Sequence, residues 1–417
     1  MQEFSSFDNI PYIADFVQIS VQDIIRNRHM EDPLEILLKS PSFRRIISAS
    51  LSPVEGILPS FERKELLKLI LNRLSPLSPQ EQTLYYFLEK AFNIHKANSA
   101  EDCDLNYNTL CTSLRSSSYG LSGILNTLNL HSIHIMTDIA EDLRPFNRLN
   151  SERILKFQAM PQIVLSDYAN ISSQNFQNAV KRLSAVSGNI GTMADMFTAI
   201  ESRIDSFYAA GAKSIVIELN ETHMPSKNTE KAERAFKTAV DGGKLKNKQA
   251  AYYRSTFISH TASACAKRNM LFILVLPNDD KPIYDSINYI IKNLMENSSL
   301  PKMVIVASNA AQLETLCNIA SGIYDANAMP AFYVRSKYNM DLGFSLRTLA
   351  LNNMLSFALC QTPMGPSLID MFSLPIMRKN IANKLQNIKE KHHLPEKTHK
   401  SLLEDICFNN LYKLYFE

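Results

Sequence analysis

Residues 192–219 read TMADMFTAIESRIDSFYAAGAKSIVIEL, and the period of the pattern changes once, at Gly211. Up to residue 210, Met193, Met196, Phe197, Ile200, Ile204 and Phe207 recur at three- and four-residue intervals, which predicts an amphipathic helix. Beyond the glycine, SIVIEL (214–219) is β-branched and apolar almost throughout, as in a parallel strand covered on both faces. LFILVL (271–276) and MVIVA (303–307) have the same texture. Helical spacing at 231–240, 249–269, 283–296 and 311–321 lies around them.

Working outward, strands are expected at 12–17, 132–136, 162–165, 331–334 and 355–359, and helices at 176–187 and 342–353. Eight strands, seven of them alternating with helices, predict an α/β fold: an eight-stranded (β/α)8 TIM barrel spanning 1–417 as a single domain. A helical insertion is expected at roughly 25–125, after strand one, from apolar spacing at 33–39, 42–50, 61–74, 79–91, 106–114 and 121–128. Ser78-Pro79-Gln80-Glu81 supplies a helix start, with serine as cap, proline first and glutamate third. C-terminal helices are expected over 367–417, a mobile polar loop at 220–231, and a solvated basic connection at 389–400.

Composition narrows the classes. The 417 residues are 45% hydrophobic and 20% charged, as in a protein that buries a large core. Forty-four basic against 41 acidic side chains leave a net charge of +3, too little to favour nucleic acid or an anionic membrane. With only 11 glycines, glycine-rich phosphate loops are disfavoured. Gly242-Gly243-Lys244 has neither the preceding strand nor the following hydroxyl of a P-loop. Six scattered cysteines (Cys103, Cys111, Cys265, Cys317, Cys360 and Cys407) fit neither zinc-finger spacing nor a disulfide framework. No signal peptide or spanning segment is read, so a cytoplasmic location is expected.

Several framework segments carry a resemblance: RIDSFYAAGAKSIVIELNE (203–221), LPKMVIVASNAAQLETL (300–316), MPAFYV (329–334), SLPIMRKNIANKL (373–385) and LLEDICFNNLYKLYF (402–416). Together they resemble the uronate isomerase family of the amidohydrolase superfamily. IPYIADFVQIS near the start and HSIHIMTDIAEDL match more faintly. The resemblance implies a distorted (β/α)8 barrel with a helical insertion after strand one. It also implies hexuronate catabolism: interconversion of D-glucuronate with D-fructuronate, or D-galacturonate with D-tagaturonate.

The resemblance further implies a divalent metal such as zinc, held by a His-x-His after strand one, a histidine after strand five and an aspartate after strand eight. In this sequence those places read Phe16-Val17-Gln18, Val275 and Pro363. Phenylalanine, valine and proline side chains have no lone pair to offer. The Arg-Pro-Asp that grips a sugar carboxylate falls at Val164-Leu165-Ser166, and the Asp-His after strand four at Val216-Ile217. The aromatic segment after strand seven becomes Phe332-Tyr333-Val334-Arg335-Ser336, while Thr137-Asp138 survives after strand two.

The expectation is therefore a divergent member without the metal site, inactive or repurposed, and with no cofactor. Two alternatives stay open: an active isomerase with displaced ligands such as Asp138 with His131 or His134, and a non-catalytic scaffold or partner of an active paralogue. The expected partners are a sugar acid or further copies in a homo-oligomer. Asp138 is the catalytic candidate, and Glu218, Tyr333 and Arg335 are the substrate-binding candidates, because strand ends carry function in such barrels. On a strand, His131 and His134 point to opposite faces, one buried and one exposed. His392, His393 and His399 sit among lysines and read as linker.

Overall fold

The computed structural model describes residues 10–30, 32–41, 43–44, 64–65, 67, 74, 78–96, 100–279, 282–324, 330–336, 342–357, 359, 366–393 and 395–417. Seven strands are described: β1 (Tyr12–Val17), β2 (Leu130–Asp138), β3 (Gln158–Val164), β4 (Ser214–Glu218), β5 (Leu271–Val275), β6 (Met303–Ala307) and β7 (Tyr333–Ser336). They follow one another in the sheet in chain order, and β1 with β2 and β3 through β7 pair in parallel. Helices separate successive strands, and those after β1 form the expected insertion. This is the layout of a distorted (β/α)8-type barrel.

The chain divides into two compact units. One comprises residues 1–135, 144–159 and 362–381. Between β1 and β2 its described elements are all helical: Val21–Ile25, Pro33–Lys39, Pro79–Phe92, Ala100–Leu114, the 3-10 turn Ser117–Tyr119, and Leu121–Leu125. The helices expected at 42–50 and 61–74 lie largely outside the described residues. Local chemistry starts these helices. Asp32 accepts from the amides of Leu34 (2.8 Å) and Glu35 (3.1 Å), and Ser78 accepts from Glu81 (3.2 Å), each cap contributing about 1 kcal/mol. Phe87 packs edge-on to Phe372 with centroids 4.9 Å apart. Buried Asp370 accepts from the hydroxyls of Ser40 (2.6 Å) and Ser367 (2.7 Å), which ties the insertion to residues 367–371. Buried Arg378 donates to the carbonyls of Ile10 (2.5 Å) and Pro11 (3.0 Å) and covers the Tyr12 ring, fixing the start of β1.

The other unit comprises residues 136–143, 160–361 and 382–417. Its strands β4, β5 and β6 are almost wholly buried, as their uninterrupted apolar runs predict. The helix Met193–Ala209 begins at Thr192 with a capping box closed by Asp195. The helices Phe176–Ser187, Thr229–Val240, Asn247–Lys267, Tyr284–Glu296 and Ala310–Gly322 stand at the expected places, with ends moved by two residues or fewer.

Four expectations change. The eighth strand, expected at 355–359, is instead a 3-10 turn over Leu355–Phe357. A short apolar run cannot by itself distinguish a strand from a turn, and here the Ser356 carbonyl accepts from the Asn410 side chain (2.9 Å). The strand expected at 331–334 is shifted to Tyr333–Ser336 by pairing with β6, which buries the polar pair Arg335 and Ser336. The basic stretch 389–400 is mostly helical: Leu374–His392 runs into it, and Glu396–Glu404 begins within it, burying His399. The polar loop is shorter than expected, because a helix starts at Thr229. Residues within the loop are tied down by Ser286 to the Met224 amide (3.1 Å), Tyr289 to Lys227 (2.9 Å) and Ser255 to the Pro225 carbonyl (2.6 Å).

Candidate functional site

Parallel α/β barrels place their chemistry where the strands end. In the first unit, β1 ends with a register shift between Ala14 and Val17. Within it Phe16 adopts φ +57°, a left-handed conformation rare for a bulky residue. Such irregularities re-aim side chains at a strand's end. The side chain placed here is a phenyl ring with no exposure, followed by fully buried Val17 and exposed Gln18. Asp15, just before the shift, is also fully buried. A buried carboxylate on β1 is a feature that reasoning from the sequence missed, since Asp15 lies inside an otherwise apolar run.

In the second unit, Asp138 ends β2 and is the centre of a polar network. Its carboxylate accepts from Arg182 Nη2 (2.7 Å), the Tyr168 hydroxyl (3.3 Å) and the Ala140 amide (2.8 Å). Arg182 also lies 3.6 Å from Asp167, whose carboxylate accepts from Asn175 (3.3 Å). Burial drives the Tyr168 hydroxyl well above the usual phenol range, and the neighbouring Asp138 charge pushes the same way. Tyr168 is therefore a neutral donor at ordinary pH and no proton acceptor. The network engages the Asp138 carboxylate with a guanidinium, a phenol and an amide, which suits the role of an anchor.

The other candidates have different surroundings. At the end of β4, Glu218 donates its amide to Ser166 Oγ (2.8 Å), and its carbonyl accepts from Asn170 Nδ2 (2.7 Å). Its side chain is half-buried. Tyr333 on β7 is half-buried with its ring edge-on to Phe357 at 5.8 Å. Arg335 is 3% exposed, opposite Val306 in the β6–β7 register. Val275, Val216 and Ile217 are enclosed by the sheet, with 1% exposure or less. Pro363 lies outside the described residues.

The histidines differ from expectation in one respect. His134 is fully buried, as expected, with Nε2 3.3 Å from Ser132 Oγ. His131 is half-buried rather than exposed, and burial holds its imidazole below the ordinary range.

The donor set decides whether the metal implied by the resemblance fits. The Phe16 and Val275 side chains supply no lone pair, and Gln18 supplies one neutral amide oxygen in place of an imidazole. These residues do not fit the ion. Among the described residues, no three His, Cys, Asp or Glu side chains gather as a metal-binding group. Also among them, no helix is long and apolar enough to cross a membrane.

Known proteins place the chain. It is 22% identical over 321 residues to the uronate isomerase of Clostridium perfringens, covering 70% of this chain and 69% of that one. Its fold superposes on the crystal structure of a uronate isomerase from Thermotoga maritima with a TM-score of 0.87, at 15% identity and over 99% of this chain and 96% of that one. A glucuronate isomerase structure from Caulobacter crescentus gives 0.85 at 12% identity, over 98% and 91% of the two chains. At these identities the structures establish the fold. The sequence profile of the glucuronate isomerase family matches residues 5–277, more than half of the chain, and the protein belongs to that family.

Proposed function

We infer that this is a divergent uronate isomerase-family protein that has given up the family's metal-dependent interconversion and keeps the barrel for another role. One observation carries the reading. Where the resemblance implies imidazole ligands, β1 carries fully buried Phe16 next to its last residue and β5 ends in fully buried Val275. Proton transfer between C1 and C2 of a sugar acid needs a polarised oxygen and a base held in a polar site. Carbon at these positions removes the means of polarisation. Asp138 does not restore it, because Arg182, Tyr168 and the Ala140 amide already engage its oxygens.

The test is metal analysis of the purified full chain after incubation with zinc and dialysis, together with assays on D-glucuronate and D-galacturonate. Metal well below one ion per chain and no turnover on either substrate are expected. Stoichiometric metal with robust turnover would overturn the reading. If activity then disappeared in Asp138→Asn, the displaced-ligand alternative would take its place.

A further inference from the structure

Two helices of the second unit meet along a seam of residues spaced four apart. Phe197, Glu201 and Asp205 on Met193–Ala209 face His260 in Asn247–Lys267 and Arg268 just beyond its end. The His260 and Phe197 rings stack with centroids 3.9 Å apart and planes 9° from parallel. His260 Nε2 lies 2.8 Å from Glu201 Oε1. The other Glu201 oxygen is 4.0 Å from Arg268, which donates from Nε to Asp205 (2.6 Å). We propose that this seam is a pH-sensitive clasp: the neutral His260 ring holds the two helices together, and its protonation loosens them.

Three features support the clasp. The first is enclosure. The His260 side chain is 28% exposed, and Phe197 covers one face of the ring. A charge formed there loses much of its hydration, and a phenyl face returns only a weak attraction at a partly open site.

The second is the charge around the ring. Glu201 on the facing helix favours the proton, whereas Lys267 on the same helix and Lys227 on the chain after β4 oppose it. Arg268 shares Glu201, so that carboxylate is not reserved for His260. Burial is the largest influence and, against the pull of Glu201, holds the imidazole below its ordinary range.

The third is position. Met193–Ala209 leads into β4 and Asn247–Lys267 leads into β5, and these two strands pair in parallel. The clasp therefore joins the covers of two adjacent strands. The contribution of the neutral ring is complete above the unfolded pKa and declines as pH falls toward the lower folded one.

Two measurements on the full chain test the proposal: NMR titration of its histidines, with the His260 signal assigned by its loss in His260→Gln, and hydrogen exchange of residues 193–209 at pH 7 and pH 5. The His260 midpoint should lie below 6.5, and Glu201→Gln should move it further down. Protection of residues 193–209, corrected for the intrinsic exchange rate at each pH, should fall more in the wild-type chain than in His260→Gln. A loss of stability common to both pH values cancels in this comparison. A midpoint at or above 6.5, no downward shift in Glu201→Gln, or equal loss of protection in the two chains would each overturn the proposal. None of these outcomes bears on the loss of isomerisation, which rests on different residues.

Discussion

β5 and β2 solve the same problem, a strand covered by protein, in opposite ways. β5 is LFILV, and all five side chains are buried without a polar atom among them. β2 is LHSIHIMTD, which buries Ser132, His134 and Thr137 and ends in Asp138. The polar groups of β2 that can be traced have local partners: His134 meets Ser132, and Asp138 meets Arg182, Tyr168 and an amide. Polarity persists in this fold where neighbours satisfy it. At Phe16 and Val275 the buried side chains are carbon only. The carboxylate of Asp138 is thus explained by the hydrogen bonds it accepts in this chain.

The sharpest break of this comparison is Val275→His. If the end of β5 is packed carbon, an imidazole there is both too large and unpartnered, and should cost about 3 kcal/mol by urea denaturation. A loss below about 1 kcal/mol would reveal hydrated polar space at this strand end and weaken the case for lost catalysis. Next is Asp138→Ala, expected to cost about 2 kcal/mol because fully buried Tyr168 loses the acceptor for its hydroxyl. The ion pair contributes less of this, since the Arg182 side chain is 46% exposed. Asp138→Asn retains an oxygen acceptor and should cost under about 1 kcal/mol. Equal losses in the two variants would show that the charge, rather than hydrogen-bond acceptance, holds the network.

The sequence shows the framework far better than the site. The strands β4 to β6 are legible because their apolar runs exceed what a half-exposed element could carry. The helix after Ser78 is legible because cap, proline and glutamate coincide. The run 355–359 misleads because four apolar residues and a serine fit several local structures, and the contact that settles it, Asn410 on the Ser356 carbonyl, is 54 residues away in the chain. β7 shifts for a related reason: Arg335 and Ser336 look like loop residues until pairing with β6 buries them. The apolar side chains at Phe16 and Val275 can be read from the sequence because a resemblance supplies the positions to check.

The smallest expected effect lies at the other end of β2, where His131 is half-buried. Burial lowers its pKa in the folded chain relative to the ordinary 6.5. As pH falls through that value, the unfolded chain takes up the proton first. The contribution of neutral His131 to stability is therefore complete above the unfolded pKa and declines as pH drops toward the folded one. Between pH 7 and pH 5 the wild-type chain should lose more stability than His131→Gln, measured as the difference in urea midpoints at the two values. His134 remains in both proteins, so the difference isolates the partly covered ring from the fully covered one. Identical losses would mean that His131 is as well hydrated in the folded chain as in the unfolded one. The contrast between β2 and β5 would then begin only at Ser132.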